Sequence, residues 1–229
     1  MAIGDIHGQF TKLLSLMRKI EFDSEQDLLI LLGDYIDRGE ENMRCLRWAM
    51  EMSEKKNVIA LCGNHEQMML YYYLLGEKET GIWLPNGGRK SKEELEEWIK
   101  KEPDALQKAL NFIEQRSFYH QIFVNDKEYI FCHAGLKPGV SLKNQNEDSL
   151  LWIREEFYMN YEGTAEIIAG HTPTPYLDIS EKYLKQSRPN KFYPLFLKNN
   201  ITIIDTGSFL PHGKISCIDI LSGKIWQSE

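Results

Sequence analysis

Cysteine is scarce among the 229 residues: Cys45, Cys62, Cys132 and Cys217 are widely scattered, with no CxxC and no close pair. A disulfide-stapled scaffold is therefore a poor reading, and a reducing, cytoplasmic setting is expected. Long apolar runs are missing too. The longest aliphatic stretch, residues 28–32, falls far short of the ~20 residues that a membrane span needs, and no charged-then-apolar signal segment opens the chain. No membrane partner is expected. There is no internal repeat, low-complexity tract or domain linker, so one domain over residues 1–229 is the simplest account. Positive charge is in short supply: 27 Lys and Arg stand against 34 Asp and Glu, a net charge of −7. Gripping a long nucleic acid takes Lys and Arg to neutralise phosphates, so no such polymer is expected as a partner. Small phosphorylated substrates answer to local charge and stay open.

The chain does have enough apolar material, 42% of its residues, for a sizeable core. Much of it lies in short runs that stop at polar clusters. Residues 28–32 lead into Gly33-Asp34, 58–61 into Cys62-Gly63-Asn64-His65, 129–132 into His133, 167–169 into Gly170-His171, and 201–204 into Asp205-Thr206-Gly207. These lengths suit buried strands. Helical patterns lie between them: Phe10, Leu13, Leu14, Met17 and Ile20 follow 3.6 spacing, as do Met43, Leu46 and Met50, and residues 67–75 read as a third helix. A helical insert is expected over residues 91–116, where Ser91 and Glu94 read as a capping box and Pro103 separates two helices. Residues 182–194 read as loop. The tail, residues 201–225, reads as strands joined by a Ser222-Gly223 turn and forming a second layer of sheet. The class is α/β, in which ligands sit beyond the carboxyl ends of strands.

Five clusters share one local form, a ligand-type side chain beside a glycine just after a strand: Gly4-Asp5-Ile6-His7-Gly8, Gly33-Asp34-Tyr35-Ile36-Asp37-Arg38-Gly39, Gly63-Asn64-His65-Glu66, His133-Ala134-Gly135 and Gly170-His171. Glycine suits a sharp turn with close approach to an ion or phosphate. Asp, Asn and His without thiolate suit Mn, Fe or Zn better than Ca or a structural Zn. Asp5, His7, Asp34, Asn64, His133 and His171 are too many donors for one ion that leaves room for a substrate. Two ions about 3.5–4 Å apart, sharing one carboxylate, are implied.

This set of motifs resembles the metallophosphoesterase superfamily, and within it the phosphoprotein phosphatase branch. A pattern such as GD-x-HG arises by chance in a chain of this length with a probability on the order of 10⁻³, and several appear here in family order over essentially the whole chain. The resemblance implies a calcineurin-like fold, a two-sheet β-sandwich flanked by helices. It implies that Asp5 and His7 bind one ion, that Asp34 bridges, and that Asn64, His133 and His171 complete the other. A hydroxide on the ions would attack phosphorus in line. His65, oriented by Asp37, would act as general acid, and Arg38 and Arg154 would clamp the phosphate. The ions would be Mn²⁺, with Fe or Zn as alternatives. The Trp83-Leu84-Pro85-Asn86-Gly87-Gly88 loop resembles a substrate-side loop of bacterial members. The family has a full hydrophobic strand before GD-x-HG, whereas only Met1-Ala2-Ile3 precede it here; either the natural start lies upstream or that strand is short.

Other polar residues take blander readings. Glu66 is expected to face the first turn of the helix it opens, Asp205 to tie down a turn, and His120 and His212 to be surface or packing residues. Residues 71–73, all tyrosine, read as core plus helix surface. The Lys-rich stretch over residues 91–101 reads as a solvated helix face.

The resemblance makes the leading expectation a phosphomonoester hydrolase acting on phosphoserine or phosphothreonine in proteins; the alternative is a symmetrical bis(5'-nucleosyl)-tetraphosphate hydrolase. Gly170-His171 continues here as Thr172-Pro173-Thr174, as in bacterial phosphatases, where classical dinucleoside tetraphosphatases carry Trp. A binding module that has lost activity would lack a ligand, and none is missing. Two divalent ions, two carboxylates, one hydroxide and two arginines leave a local charge of about +3 inside an acidic protein. The expected partner is a phosphorylated protein or a small phosphoester.

Overall fold

The computed structural model describes residues 1–76 and 81–229. In chain order its elements are β1 (Ala2–Ile3), α1 (Phe10–Ile20), β2 (Leu29–Leu31), α2 (Asn42–Ser53), β3 (Val58–Ala60), α3 (Asn64–Leu75), α4 (Arg89–Lys101), α5 (Ala105–Glu114), β4 (Tyr119–Val124), β5 (Lys127–Cys132), α6 (Glu147–Trp152), α7 (Glu155–Asn160), β6 (Glu166–Ala169), β7 (Leu195–Phe196), β8 (Ile201–Ile203), β9 (Ser216–Ile218) and β10 (Ile225–Gln227). No helix among the described residues is long and apolar enough to cross a membrane.

The strands form two five-stranded mixed sheets, ordered β10-β9-β1-β2-β3 and β4-β5-β6-β8-β7. Within the first, β1, β2 and β3 run parallel, with Ile3 opposite Leu31 and Leu31 opposite Ala60; within the second, β5, β6 and β8 run parallel, with Phe131 opposite Ile168 and Ile168 opposite Thr202. Strands buried on both faces must be apolar throughout, and Leu29, Ile30 and Leu31 all are. One face of each sheet meets the other through Ala2, Ile30, Leu32, Leu61, Tyr129, Phe131, Ile168, Ile204 and Ile218. The outer face of the first sheet is covered by α1 to α5, and that of the second by α6, α7 and the loops around Leu177 and Leu184. The result is the expected sandwich flanked by helices.

Helical periodicity places its elements well. In α1 the stripe Leu13, Leu16 and Ile20 is buried, Arg18 and Lys19 sit in the last turn, and Glu21 ends the helix in the left-handed region. Pro103 does separate two helices, α4 and α5. The third helix starts at Asn64, which puts His65 and Glu66 in its first turn. Two expectations fail. The tail does not build one layer: β8 lies in the second sheet beside β6, while β9 and β10 cross to the first, beside β1. Ser91 is also not a cap. It lies inside α4, on the buried face with Leu95 and Trp98, while the Glu94 carboxylate accepts from the Asn42 amide and the Met43 N–H at the start of α2. The half-buried β4, joined to β5 by a tight turn with Asn125 and Asp126 both at positive φ, and the short helices α6 and α7 add to the expected elements.

Phe131 sits at the centre of the contact between the sheets and is 1% exposed. Phe131→Ala leaves a cavity there and should lower stability by about 3–5 kcal/mol. A urea titration checks this; a loss under about 1 kcal/mol would show that the sheets do not lean on that ring.

Candidate metal centre

Six parallel strands end on one side of the sandwich, and the polar residues follow them: Asp5 and His7 after β1, Asp34, Asp37 and Arg38 after β2, Asn64 and His65 after β3, His133 after β5, His171 after β6, Asp205 after β8. The loops are bound to one another before any ligand is considered. The Ile6 and His7 N–H groups donate to the Asp34 carbonyl at 3.0 and 2.9 Å, the Gly170 N–H to the His133 carbonyl at 2.7 Å, and the His171 N–H to both carboxylate oxygens of Asp5 at 3.1 Å. His7, Asp34, Asp37, Arg38 and His171 all have φ between 48° and 72°. Non-glycine residues hold this conformation only where the surroundings impose it. Gly33 shows how tightly: at φ 96°, a Cβ there would come within 2.4 Å of the Gly63 backbone nitrogen. The loops after β2 and β3 touch only because both positions lack a side chain.

Four of the six expected donors form one compact group. His133 Nε2 and His171 Nδ1 each lie 2.9 Å from Asn64 Oδ1, and His133 Nε2 is 3.4 Å from Asp34 Oδ1. The other two face the second oxygen of the same carboxylate: His7 Nε2 is 3.4 Å from Asp34 Oδ2 and 4.0 Å from Asp5 Oδ2. The Asp34 carboxylate thus divides its oxygens between two donor groups.

Tautomers follow from the other ring nitrogens. His7 Nδ1 lies 3.0 Å from the Ile36 carbonyl and His133 Nδ1 3.0 Å from the Leu32 carbonyl. A carbonyl only accepts, so both Nδ1 atoms carry the proton. Burial holds the pKa of His7, His133 and His171 below the ordinary value, and each Nε2 of His7 and His133 is left as a lone pair. The His7 lone pair accepts from Arg38 Nη1 at 2.7 Å beside the Asp34 carboxylate, whereas that of His133 faces carboxylate and amide oxygens, and His171 Nε2 is buried with no partner among the described residues. Acceptors that converge on acceptors repel unless a cation sits between them, so the donor set fits divalent metal ions.

The carboxyl groups point the same way. Burial, then Asp205 and Asp34, pushes Asp5 well above its usual value. Burial opposes the charge on Asp34 as well, yet His133, His65, His7 and Arg38 hold its pKa below the ordinary value. Asp205 carries the turn role expected of it, since Oδ1 accepts from the Gly207 N–H at 2.9 Å, but Oδ2 is buried without a partner among the described residues. Burial, with Asp34 adding to it, pushes Asp205 up to about 7. Its place after an apolar run and before a glycine-containing turn was the signal that it belonged with the other clusters.

All ten expected site residues lie together. His65 Nδ1 donates to Asp37 Oδ2 at 2.6 Å, while its Nε2 is buried without a hydrogen bond among the described residues, 3.9 Å from Asp34 Oδ2. Arg38 Nη1 lies 2.7 Å from His7 Nε2, with the guanidinium over the Phe209 ring at 4.5 Å. Arg154 Nη1 donates to Thr172 Oγ1 at 2.8 Å and to the His171 carbonyl at 3.3 Å. The two arginines therefore stand at the two donor groups, one beside His7 and the other beside His171. His120 and His212 lie outside the centre, as does the tyrosine run, whose Tyr72 and Tyr73 pack on Trp83.

Glu66 reaches further than the first turn of its own helix. Its Oε2 accepts from the Gly63 and Asp34 N–H groups at 3.0 and 2.8 Å, and its Oε1 from those of Tyr35 and Ile36 at 2.8 and 3.3 Å. One fully buried carboxyl thus ties the loop after β2 to the loop after β3; burial, with Asp34 adding to it, pushes its pKa up to about 8. Glu66→Ala orphans buried donors worth ~1–3 kcal/mol each and should lower stability by at least about 3 kcal/mol. A thermal or urea unfolding curve within about 1 kcal/mol of the parent would remove Glu66 from this role.

The calcineurin-like phosphoesterase model matches residues 1–221. Serine/threonine-protein phosphatase 2 of Salmonella typhimurium is 33% identical over 172 residues, 73% of each chain. The symmetrical bis(5'-nucleosyl)-tetraphosphatase of Vibrio parahaemolyticus is 26% identical over 171 residues, 69% of this chain and 56% of the relative. The crystal structure of a metallophosphoesterase from Sphaerobacter thermophilus shares the fold, with a TM-score of 0.55 and 15% identity over all of this chain and 87% of that one. Because the match takes in the loops after all six parallel strands, from Asp5 to Asp205, the chain belongs to the calcineurin-like phosphoesterases and is a metallophosphoesterase.

Proposed function

We propose that the chain hydrolyses phosphomonoesters, with phosphoserine and phosphothreonine in proteins as the substrate class. The observation that carries this reading is His65: one ring nitrogen is fixed by Asp37, and the other is buried, without a partner among the described residues, and turned towards the metal donors. That is the placement a general acid needs to reach a leaving oxygen. Asp5, His7 and Asp34 would hold one divalent ion and Asp34, Asn64, His133 and His171 the other. When bound, the ions lower the pKa of water and neutralise charge on the phosphoryl oxygens. Oxygen and imidazole donors without thiolate favour Mn²⁺, with Fe or Zn as the alternatives. Arg38 and Arg154 flank the donor groups, where each guanidinium can take phosphoryl oxygens and hold phosphorus in line. As water oxygen bonds to phosphorus, the ester P–O bond breaks with its electron pair on the leaving oxygen. The Nε2 proton of His65 neutralises that oxygen, and the proton lost by the water restores the balance.

Thr172 supports the protein-phosphatase side of the reading. Its hydroxyl is bound to Arg154 and so fixes a phosphate-clamping group at the position where classical dinucleoside tetraphosphatases carry Trp. The four cysteines are free and buried, which suits a reducing, cytoplasmic setting.

Turnover of a phosphoserine peptide and of diadenosine tetraphosphate with Mn²⁺, at matched concentrations, tests the substrate class. The peptide should be preferred in kcat/KM; a preference for the dinucleotide by orders of magnitude would replace this reading with the tetraphosphatase one. His65→Ala should lower kcat by about 10²–10⁴-fold while elemental analysis still finds close to two ions per chain. Asp34→Asn should lose metal and activity together, and retention of both ions would contradict its bridging role.

A further inference from the structure

The helical insert and the loop before it each reach the centre through one side chain. Asp37 is fully buried, and three side-chain donors converge on its carboxylate: His65 Nδ1 at 2.6 Å and Trp83 Nε1 at 2.9 Å on Oδ2, and Ser91 Oγ at 2.5 Å on Oδ1. Ser91 Oγ also accepts from the Asp37 N–H at 3.1 Å, so one hydroxyl fixes both the backbone and the carboxylate of the same residue. With φ at 72°, that backbone would otherwise relax.

Both residues are themselves immobilised. Trp83 is fully buried, the Tyr72 and Tyr73 rings lie 5.0 and 5.9 Å from it, and a Cβ on Gly88 would come within 2.6 Å of the indole. Ser91 sits on the face of α4 that Leu95 and Trp98 bury. One turn after Ser91, Glu94 binds the Asn42 amide and the Met43 N–H and so pins the same helix to α2. Simple packing explains an apolar face on α4 but not a fully buried hydroxyl and an indole N–H that both end on one carboxylate. A buried donor needs an acceptor, and each of these could have had a backbone carbonyl.

We infer that Trp83 and Ser91 are positioning residues for His65: together they hold Asp37 in one rotamer, and Asp37 in turn presents His65 Nε2 towards the leaving oxygen. This deepens the phosphomonoesterase reading and rests on it. Without the two donors, the Asp37 carboxylate turns, the imidazole follows, and the proton no longer lies on the line to the leaving group. Substrates then divide by how much they need that proton. An alkyl leaving group such as the serine side chain needs it, whereas dinitrophenolate leaves as a stable anion and does not.

Trp83→Phe keeps the ring and removes only the N–H; Ser91→Ala removes only the hydroxyl. Each variant should lower kcat for a phosphoserine peptide by about 10–100-fold at a nearly constant KM and a constant metal content. The loss on 2,4-dinitrophenyl phosphate should stay within about threefold. In a His65→Ala background neither substitution should lower kcat further. A second readout needs no turnover: by NMR the His65 Nδ1–H proton should be slow to exchange in the parent and at least about tenfold faster in both variants. Equal losses on the two substrates, losses that persist without His65, or an unchanged Nδ1–H exchange rate would overturn the inference. A parent protein that turns over neither phosphomonoester would sink the functional reading instead, and the exchange rates would still decide whether Trp83 and Ser91 hold Asp37 and His65.

Discussion

Asp5, Asp34, Glu66 and Asp205 share one buried volume, and their mutual repulsion sets the terms for what surrounds them. Each is at most 2% exposed, and three of the four are pushed above their usual pKa by burial and by one another. A group of this kind is stable only if something positive enters it. The chain supplies part of the answer itself. Four backbone N–H groups end on Glu66, the His171 N–H sits on Asp5, and Arg38 and the histidines hold Asp34 ionised. What remains, the lone pair of His133 and the atoms of His171 and Asp205 without a partner among the described residues, is answered by divalent cations. The fold and the metal requirement are one electrostatic problem.

The backbone strain follows from the same demand. To aim their side chains inward from strand ends, His7, Asp34, Asp37, Arg38 and His171 take left-handed conformations, each of which costs on the order of 1 kcal/mol. The hydrogen bonds between loops offset that strain, which is why Glu66, bonded across two loops, matters beyond its own helix. The glycines mark where loops must touch backbone to backbone, as Gly33 does against Gly63. The strain is distributed over loops held by two rigid sheets, so the donors are pre-arranged before a ligand arrives.

Much of this was legible in the sequence, for reasons that can be stated. An apolar run that ends in a polar residue beside glycine is a local signal, and it placed nine of the ten candidate site residues at strand ends; Arg154, between α6 and α7, was legible only through the family resemblance. Periodicity placed α1 and α2 because one face of each is buried and the other wet. What was missed depends on partners far away in the chain. Ser91 with Glu94 has the local form of a capping box, but their acceptors and donors are Asp37, Asn42 and Met43, roughly 50 positions earlier. Glu66 has the local form of a first-turn acid, and Asp205 that of a turn residue; both also serve the centre. Strand order is likewise tertiary: nothing in residues 201–225 says that β8 joins one sheet and β9 the other. Two six-residue helices, α6 and α7, are too short for periodicity to register.

Asp205 also corrects the charge expected at the centre. The local charge of about +3 expected from the motifs leaves Asp205 out, because its sequence context is that of a turn residue. Two divalent ions beside it would favour its ionised form, since its raised pKa comes from burial and from Asp34 rather than from any bond to a protonated oxygen. With that carboxylate included, the centre loaded with two such ions would carry about +2. Glu66 does not lower it further in effect, because four N–H dipoles already face its carboxylate. A phosphomonoester near neutral pH brings about −1.5 to −2 charges, so a single phosphoryl group neutralises the pocket. A longer polyphosphate would place its remaining charges outside the reach of Arg38 and Arg154, on a protein whose net charge is −7. The charge match therefore favours one phosphoryl group presented at a time, in line with what the His65 geometry suits.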